Sequence, residues 1–522
     1  MEEATPSDPV TRSERPSLAA AAAIVAAGFL VSRLLGVLRS VAIADSFGDS
    51  PELGAYWVAF RLPDLIFQLL AGATLGSAFI PTFARLFKKE SEEAAWRLAS
   101  SILTLVGLVT IVFAILGFLL APLLVPAMAP GLSEESLAVD LTRLMMLSPI
   151  LFAVSGMFMG ILNARHHFLF PAIAPIVYNV SIIVGALAFD DVHALAAAVV
   201  IGAALHLIVQ LPALAVVGMR YRPILRWRDT GVREVGRLMA PRVLGLAAFQ
   251  FNLLVTVFFA STISDQAISA VNFAWLIMMT PLGLFGMAIS TAVFPTMAEQ
   301  AAVDRSELRR TLERSLRLIL FLTIPASVGL MILSKPLVAF LFQRGAFSEA
   351  ATDITQGAVL FYAIGLFALA ATEILSRAFY ALSDTRTPVL FAVGALVANL
   401  ILSAILVGPM EVEGLALAVS VATILEAALL YWTLRGRLPG LQLGGSLGRT
   451  MVAVVLMAEA VGFYLILLDQ AGHLDTDRFL NAFLALAGGA LLGGLVFVAA
   501  ARALRSEEME ALLRRLPLPR RA

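Results

Sequence analysis

Cysteine is absent from the sequence, and charged residues make up only 14% of it. The first absence excludes disulfide bonds and thiolate chemistry. Acidic and basic residues balance at 37 each, so the formal net charge is zero and gives no indication of a nucleic-acid partner. The sequence also lacks a P-loop, a zinc motif and a nucleophile elbow. We therefore expect no enzymatic activity, no metal and no cofactor, so that any transport must draw on an ion gradient, the membrane potential or substrate supply.

Apolar residues, in contrast, make up 60% of the 522 residues, and the mean hydropathy is +0.91. Runs of about 20 apolar residues recur along the chain, which is the length that crosses a bilayer as a helix. These runs do not alternate with polar residues as the strands of a membrane barrel do. The sequence therefore predicts an all-α polytopic membrane protein.

Hydropathy and helix-breaking residues predict fourteen transmembrane helices. Their limits are 17–46, 54–86, 97–128, 138–163, 167–189, 194–219, 238–263, 267–298, 316–343, 354–382, 387–408, 412–434, 449–468 and 479–503. The connections after even-numbered spans are rich in arginine, whereas those after odd-numbered spans are acidic and contain only Arg344 and Arg478 of the 37 basic residues. By the positive-inside rule, both termini are expected in the cytoplasm.

An internal repeat lies in spans two and eight. Residues 72–84 read GATLGSAFIPTFA and residues 286–298 read GMAISTAVFPTMA, at an offset of 286 − 72 = 214, and a weaker echo pairs Pro171 with Pro388. Because the two copies are an even number of spans apart, namely six, both cross the membrane in the same direction. The pattern predicts two pseudo-symmetric six-helix lobes and two C-terminal helices, and such duplication is typical of transporters whose substrate site lies between the halves.

The expected organisation follows from this repeat. It consists of a polar cytoplasmic N-terminus (1–16), an N-lobe with spans 1–6 (17–220), a C-lobe with spans 7–12 (221–437), spans 13 and 14 (438–504) and a basic cytoplasmic tail (505–522). We interpret the tail as a topology signal and solvated segment, with contact to anionic lipid as the alternative.

Two arginines, Arg33 and Arg39, interrupt the first span. A guanidinium stays protonated and is costly at bilayer depth, so it normally faces a bundle interior or a watery cavity, where an anion such as a phosphate is its natural ligand. Six residues correspond to about 9 Å of rise and about 120° around a helix, so the two share a face only if the helix bends, as Gly36 permits. The alternative for Arg39 is that it snorkels to the outer surface.

Other polar residues within the spans are candidates for a cavity lining. Arg61 and Asp64 have the spacing of a local ion pair, which would be either structural or in contact with substrate, and Gln68 lies one turn further along the same face. Glu373 precedes Arg377 by four residues, and we expect them to pair near the cytoplasmic end of their span.

Two carboxyl groups, Glu426 and Glu459, have no basic residue nearby in the sequence, and either is a candidate to carry a coupling proton. Four asparagines are expected to form hydrogen bonds between helices rather than to bind a ligand, namely Asn179, Asn252, Asn272 and Asn399. Lys335 and Arg143 are expected near the outer interface. We interpret the pair His166-His167 as a surface or topology feature rather than a metal site.

Several short motifs stand out along the spans. They are Ser32-Arg33-Leu34-Leu35-Gly36 with Arg39, Phe47-Gly48, Val58-Ala59-Phe60-Arg61-Leu62-Pro63, Ala78-Phe79-Ile80-Pro81, Gln210-Leu211-Pro212, Phe294-Pro295, and Arg377-Ala378-Phe379-Tyr380 through Asp384-Thr385 to Thr387-Pro388. In these motifs the chain resembles the MurJ/MviN family, the lipid II flippases of the multidrug/oligosaccharidyl-lipid/polysaccharide exporter superfamily. The resemblance covers essentially spans 1–12.

The resemblance implies a multi-pass protein of the bacterial cytoplasmic membrane that moves the undecaprenyl-pyrophosphate-linked peptidoglycan precursor to the outer leaflet. It implies alternating access through a V-shaped cavity between the lobes, and a groove for the lipid tail near spans 13 and 14. On this basis Arg33 and Arg39, together with Arg61, are the candidates to hold the pyrophosphate. The expected partners are the precursor, membrane lipids and cell-wall synthesis proteins, and the expected state is a monomer.

The sequence departs from the family pattern at charged positions. Uncharged residues stand where the family typically has charges, at Gly54, Gln68, Gly72 and Leu276, and Ser40 stands where an acidic residue often follows the second arginine. These losses leave two alternatives open. One is a divergent paralogue that flips another polyprenyl-linked glycan or exports a small molecule. The other is a transport-dead scaffold for cell-wall synthesis, against which the retention of both arginines of the first span speaks.

Overall fold

The computed structural model describes residues 18–70, 73–89, 91–476 and 478–515. These residues form α-helices, one π-helical segment and short connections, and no strand occurs among them. The helices are α1 (Leu18–Phe47), α2 (Pro51–Leu70), α3 (Ala73–Lys89), α4 (Glu92–Met128), α5 (Glu135–Met145), α6 (Leu147–Ala164), α7 (Leu169–Ala188), α8 (Val192–Ile208), α9 (Leu211–Val217), α10 (Thr230–Ser261), α11 (Asp265–Pro281), the π-helical segment Leu282–Met287, α12 (Ala288–Val303), α13 (Arg305–Ile332), α14 (Ser334–Phe342), α15 (Glu349–Ala381), α16 (Arg386–Arg437), α17 (Gly444–Gln470), α18 (Phe479–Ala503) and α19 (Glu507–Arg515).

Eleven helices in the described part of the chain are long and apolar enough to cross a membrane. The all-α expectation is therefore confirmed, and several helices begin earlier in the sequence than the predicted spans. The ninth span, expected from residue 316, belongs to a helix that begins at Arg305. The side chain of Asp304 accepts a hydrogen bond from the backbone N–H of Ser306, which caps this helix and extends it through an arginine-rich segment that hydropathy alone assigns to a loop.

The 52-residue helix α16 contains a sharp reversal. Glu411 has φ 48° and ψ −126°, two residues after Pro409, and this geometry interrupts the helix. Gly414 lies so close to Leu406 that a β-carbon on residue 414 would be 2.4 Å from the carbonyl oxygen of Leu406. The segments on either side of Glu411 therefore form a helical hairpin, with the break where the sequence predicts the turn between its eleventh and twelfth spans.

Small residues bring the helices of the first half (α1–α9) close together. A β-carbon on Gly28 would lie 2.6 Å from Cβ of Ala172, which shows how closely α1 approaches α7. Gly185 meets Ala198 in the same way between α7 and α8. Such contacts are typical of helices packed in lipid, where close backbone approach replaces the hydrophobic driving force. Large apolar side chains such as Phe29 and Leu123 remain exposed on the outside of the bundle, as a bilayer requires.

The first half contacts the second half (α10–α16) where α2 and α3 pack against α10 and α11, and also through chain segments at two levels. One level, the acidic face, comprises the connections at 45–50, 129–134, 261–265 and 343–348. The other, the basic face, comprises residues 85–89, 91–104 and 218–234. A large buried core joins both halves near the acidic face, and a smaller core joins α3, α4, α6 and α9 to the start of α10 near the basic face.

Candidate functional site

A cavity of about 570 Å³ lies inside the first half, walled by α1, α2, α3, α6, α7 and α8. Aromatic rings supply much of its wall, from Phe60, Phe67, Phe152 and Tyr178. Its polar lining consists of Arg39, Asp64, Gln68, Ser148, Asn163 and His206. This size and this mixture of apolar walls with few polar groups are typical of a small-molecule or headgroup site.

Arg39 is the permanent cation among the described residues that line this cavity. Its side chain is partly exposed and forms no hydrogen bond or ion pair with a described residue. Asp64 interacts with it electrostatically across the cavity but lies outside ion-pair distance. The guanidinium is therefore available to bind an anion.

Asp64 is held by amides rather than by a cation. Its Oδ1 accepts a hydrogen bond from Nε2 of Gln68 at 3.4 Å, and its Oδ2 accepts one from Nε2 of Gln250 at 3.5 Å. Gln250 belongs to α10, so this carboxylate links the first half to the second. Asp64 and Gln68 both line this cavity, which lies inside the first half, whereas the sequence predicts a cavity between the lobes.

Arg61 does not form the ion pair with Asp64 that its spacing suggests. Its Nη2 instead donates to Oδ1 of Asn272 in α11 at 2.5 Å, and its Nε is buried without a partner. Arg61 lies in narrow gaps beside Trp275 and Tyr362, outside the larger cavity. The ion pair predicted from the i, i+3 spacing does not form, because Asn272 of α11 offers Arg61 an amide acceptor. The sequence alone does not show that α11 lies beside α2.

Arg33 lies at another contact between the halves. Its guanidinium stacks on the ring of Phe29 at 5.5 Å and covers Gly283 of the π-helical segment, while the side chain remains exposed. Helix α1 is continuous from Leu18 to Phe47. Arg33 and Arg39 therefore have different surroundings, and the structure does not bring the three arginines Arg33, Arg39 and Arg61 together in one cavity.

The remaining carboxyl candidates differ in their surroundings. Glu373 forms the expected ion pair with Arg377 at 3.5 Å, so that prediction is confirmed. Glu426 is partly buried and interacts electrostatically with Glu373. Glu459 is exposed on the outer side of α17. Neither Glu426 nor Glu459 forms an ion pair with a described residue.

The asparagines bridge helices as predicted. Nδ2 of Asn179 donates to the carbonyl of Ser32 at 3.5 Å, and Nδ2 of Asn399 donates to Oδ1 of Asn252 at 3.0 Å. Asn272 accepts from Arg61, as described above. These three contacts join α7 to α1, α16 to α10, and α11 to α2.

The positions that lack the family's charges fall in different environments. Gly54 packs against Asp265, where a β-carbon would lie 3.0 Å from Cβ of Asp265. Leu276 packs against the main core, and Gln68 lines the cavity. Gly72 lies outside the described residues.

Sequence reasoning missed a buried polar network on the cavity wall. His206 is 7% exposed, and its Nδ1 lies 2.6 Å from Oγ of Ser155. Gln210 donates from Nε2 to the same hydroxyl at 2.6 Å. A histidine followed four residues later by a glutamine in an apolar span was the available signal.

Hydrogen bonds close the acidic face between the halves. The backbone N–H of Ala346 donates to the carbonyl of Asp45 at 2.8 Å, and the hydroxyl of Ser348 donates to Asp49 at 3.1 Å. The hydroxyl of Ser133 donates to the carboxylate of Asp265. At the basic face, Arg85 at the end of α3 forms an ion pair with Glu234 of α10.

Comparison with known proteins decides the family. A family model described as "Lipid II flippase MurJ" matches residues 43–474. The chain belongs to the MurJ family. A probable lipid II flippase MurJ of Thermotoga maritima is 32% identical over 492 residues, which are 94% of this chain and 97% of that protein. The lipid II flippase MurJ of Burkholderia cenocepacia is 31% identical over 80% of this chain and 84% of its own length.

Solved structures show the same fold. A structure described as lipid II flippase MurJ in an inward closed conformation has a TM-score of 0.78 and 25% identity, and the match covers 94% of this chain and all of that one. An inward-facing multidrug resistance MATE transporter of the MOP superfamily has a TM-score of 0.65 at 14% identity over 81% of this chain. The second likeness shows the fold alone.

Proposed function

We propose that this chain is a transporter that moves lipid II, the undecaprenyl-pyrophosphate-linked peptidoglycan precursor, from the cytoplasmic to the outer leaflet for cell-wall synthesis. Its family and two similar relatives carry lipid II flippase in their names. The observation on this chain that carries the proposal is Arg39, a guanidinium without a carboxylate partner in a cavity of about 570 Å³ among apolar helices. A pyrophosphate matches such a group because it accepts the paired hydrogen bonds of the guanidinium fork.

Three arginines serve the pyrophosphate in this proposal. Arg39 is the first contact because it lines the open cavity. Arg61 retains a buried Nε without an acceptor, and Arg33 bridges the halves without an ion-pair partner. A buried cation without a counter-ion, such as Arg61, is costly unless another group satisfies it, and an anionic substrate is such a group. We infer that the halves rearrange to bring Arg33 and Arg61 to the headgroup after it meets Arg39.

We further propose fourteen transmembrane helices in two pseudo-symmetric lobes with two additional C-terminal helices. Eleven candidate spans are counted with α16 as one, and the hairpin at Glu411 supplies a twelfth. Helices α2 and α3 together form a thirteenth span, and α10 forms the fourteenth. In support of the repeat, Pro81 lies eight residues after the start of α3 and Pro295 seven after the start of α12, while Pro171 and Pro388 each lie two residues into their helices. The domain limits given by the sequence are retained.

The protein is a multi-pass protein of the bacterial cytoplasmic membrane in this proposal, with both termini in the cytoplasm. The arginine-rich connections of the basic face then lie in the cytoplasm, in accordance with the positive-inside rule. The acidic face lies outside. The first 17 and last 7 residues are outside the described part of the chain, so the orientation rests on the connections.

Alternating access requires the contacts at the two faces to open in turn. The bonds of Ala346 with Asp45 and of Ser133 with Asp265 close the outer side, and the ion pair of Arg85 with Glu234 closes the inner side. We propose that each set opens while the other stays closed. The exposed bonds are individually weak, which suits contacts that must break in every cycle.

The membrane potential supplies the driving force in this proposal, without a cofactor. An inside-negative potential favours outward movement of an anion by about 2.3 kcal/mol per charge per 100 mV. Glu426 and Glu459 remain the candidates for a coupling proton. The proposed partners are membrane lipids around a monomer, with spans 13 and 14 forming the groove for the lipid tail, and cell-wall synthesis proteins. The matched names give no support to a different exporter or to a transport-dead scaffold.

Complementation tests the proposed function. Cells depleted of their own lipid II flippase are expected to regain growth and shape when they express this chain. Arg39→Ala should fail to restore growth at equal membrane abundance. Arg310→Ala, which removes an exposed arginine paired with Glu307, is the control and should restore growth. Failure of the wild-type chain, inserted at normal abundance, would count against the assignment.

A further inference from the structure

His206 is the titratable group on the cavity wall that the proposed function has not used. The chain has five histidines, and the other four lie in connections or at the exposed start of α8. His206 alone among them is buried within a membrane-spanning helix and borders the cavity. Titratable groups at such depth are costly and are found there mainly for function.

The hydrogen bonds of the ring accommodate both of its protonation states. Oγ of Ser155 lies 2.6 Å from Nδ1 of His206 and 3.1 Å from the backbone carbonyl of the same residue. The hydroxyl proton can therefore point to a neutral Nδ1. It can also turn to the carbonyl and leave its oxygen to accept from a protonated Nδ1. Gln210 donates to this oxygen in either case, so the network stays intact.

The charges around His206 come from few elements. Helix α8 packs against α2, α5, α6 and α7. Helix α2 carries Glu52, Tyr56, Arg61 and Asp64, α7 carries Tyr178, and α6 has no titratable residue, while Arg39 of α1 shares the cavity. The charged residues of α5 are Glu135, Asp140 and Arg143, and they lie on a helix that meets α8 through apolar residues near the acidic face. None of these groups lies within ion-pair distance of the imidazole.

A pyrophosphate diester carries two negative charges, whereas the described lining of the cavity offers one permanent cation. Asp64 cannot supply a second positive charge. A protonated His206 would supply the second positive charge at the wall of the same cavity. Nε2, the ring nitrogen that Ser155 does not occupy, is then the donor available to the headgroup.

We propose that His206 is the second, protonatable cation of this cavity, which takes up a proton when a pyrophosphate headgroup binds beside Arg39 and releases it when the headgroup leaves. This inference rests on the proposed function. It makes the affinity for the headgroup depend on pH: binding is stronger at low pH and weakens by up to about tenfold per pH unit once the empty site is neutral. Ser155 is a positioning residue that orients the ring in both states.

The test is calorimetric titration of the full-length protein in nanodiscs with a short-chain lipid II analogue. The pyrophosphate of this probe is a diester, so its two charges do not change near neutral pH. Titrations between about pH 6 and 8, in two buffers of different ionisation enthalpy, count the protons taken up per ligand. The wild type is expected to take up a fraction of one proton, and its affinity should fall as the pH rises.

His206→Gln should take up no proton and should bind with an affinity that does not vary with pH. His193→Gln is the matched control, because it removes an exposed histidine from the first turn of the same helix and should behave as the wild type. Asp64→Asn removes the other protonatable group of the cavity, and this variant should still take up a proton when it binds the probe. Should His206→Gln not fold, Ser155→Ala keeps the ring but removes its partner, and should shift the pH midpoint of binding downward.

Proton uptake that persists in His206→Gln, or that disappears in Asp64→Asn alone, would overturn the inference and leave the flippase assignment intact. Binding by the wild type without proton uptake would do the same. A wild type that binds no probe at any pH would overturn the proposed function and this inference together.

Discussion

The guanidinium of Arg33 lies directly over Gly283, so close that a β-carbon on residue 283 would be 2.3 Å from Nη2. Arg33 belongs to α1 of the first half, and Gly283 lies in the π-helical segment between α11 and α12 of the second half. π-Helical turns within α-helices are frequent at functional sites. Glycine leaves the space into which this long cationic side chain fits, and the contact ties an intramembrane charge of one half to a local distortion of the other.

Gly283→Ala is expected to displace the guanidinium of Arg33 and to lower the rate of lipid flipping. The displaced group is the end of a flexible side chain, so thermal stability should change little. Gly394→Ala is the matched control, since its added β-carbon would meet nothing within 4 Å. Flipping in reconstituted vesicles and melting in detergent provide the two readouts. Equal flipping rates for the two variants would remove Gly283 from the account.

Arg33→Ala should abolish flipping while the protein still inserts and folds. Arg33→Lys should restore only part of the rate, because an ammonium has the charge but not the planar fork that binds a phosphate through two parallel hydrogen bonds. Rates measured at equal protein density in vesicles compare the three forms. A normal rate for Arg33→Ala would show that this arginine is structural.

The contacts at the acidic and basic faces predict that a cross-link at either face will hold the two halves together. Because the natural chain has no cysteine, the double variant Ser133→Cys/Asp265→Cys adds the only thiols, and a short bifunctional thiol reagent should join the halves at the acidic face. Arg85→Cys/Glu234→Cys should do so at the basic face. Each cross-link is expected to stop flipping.

The control for these locks is a cross-link within the second half. Lys335→Cys/Asp353→Cys replaces an ion pair of 2.8 Å between α14 and α15, and its cross-link should leave flipping unchanged. A cleavable reagent should let flipping resume on reduction. Continued flipping through a complete cross-link at the acidic face would argue against alternating access by these halves.

The ionised carboxylate of Asp384, in the connection between α15 and α16, should stabilise the folded state at neutral pH but not in strong acid. Partial burial opposes its ionisation, but hydrogen bonds from Thr387, Arg437 and the backbone N–H of Arg386 prevail and lower its pKa from 3.8 to about 2. Because the folded-state pKa is the lower one, the stabilisation is full above about pH 4 and is lost as the pH falls towards 2.

Asp384→Ala is therefore expected to reduce the free energy of unfolding by about 1–3 kcal/mol at neutral pH. The difference between the wild type and the variant should become smaller as the pH falls. Denaturant unfolding in detergent at several pH values measures it. Asp190→Ala, which removes an exposed carboxylate from another connection, should have little effect. A destabilisation by Asp384→Ala that stays constant down to pH 2 would contradict this origin.

The sequence predicted the features that depend on local pattern. Hydropathy located the helices, and the reversal at Glu411 falls between the two spans that it separates. The i, i+4 spacing gave the ion pair of Glu373 with Arg377. These predictions succeed because the length of an apolar run and the periodicity of a helix depend only on residues within one segment.

Contacts between distant segments could not be predicted in the same way. Arg61 bonds to Asn272, 211 residues away, instead of pairing with Asp64. The Ser155–His206–Gln210 network depends on α6 facing α8, which no local pattern encodes. Arg33 and Arg39 lie on one helix, yet one covers Gly283 and the other lines the cavity, because their surroundings are set by different partners.

The most direct test of the account is the movement of fluorescent lipid II across vesicles that contain the purified chain, with the same measurement on Arg39→Ala. The wild type is expected to move lipid II at a rate that rises with an inside-negative potential for transport outward. Arg39→Ala should show the background rate of empty vesicles, while Arg310→Ala matches the wild type. Lipid II movement by Arg39→Ala at the wild-type rate would contradict the claim that this cavity binds the pyrophosphate.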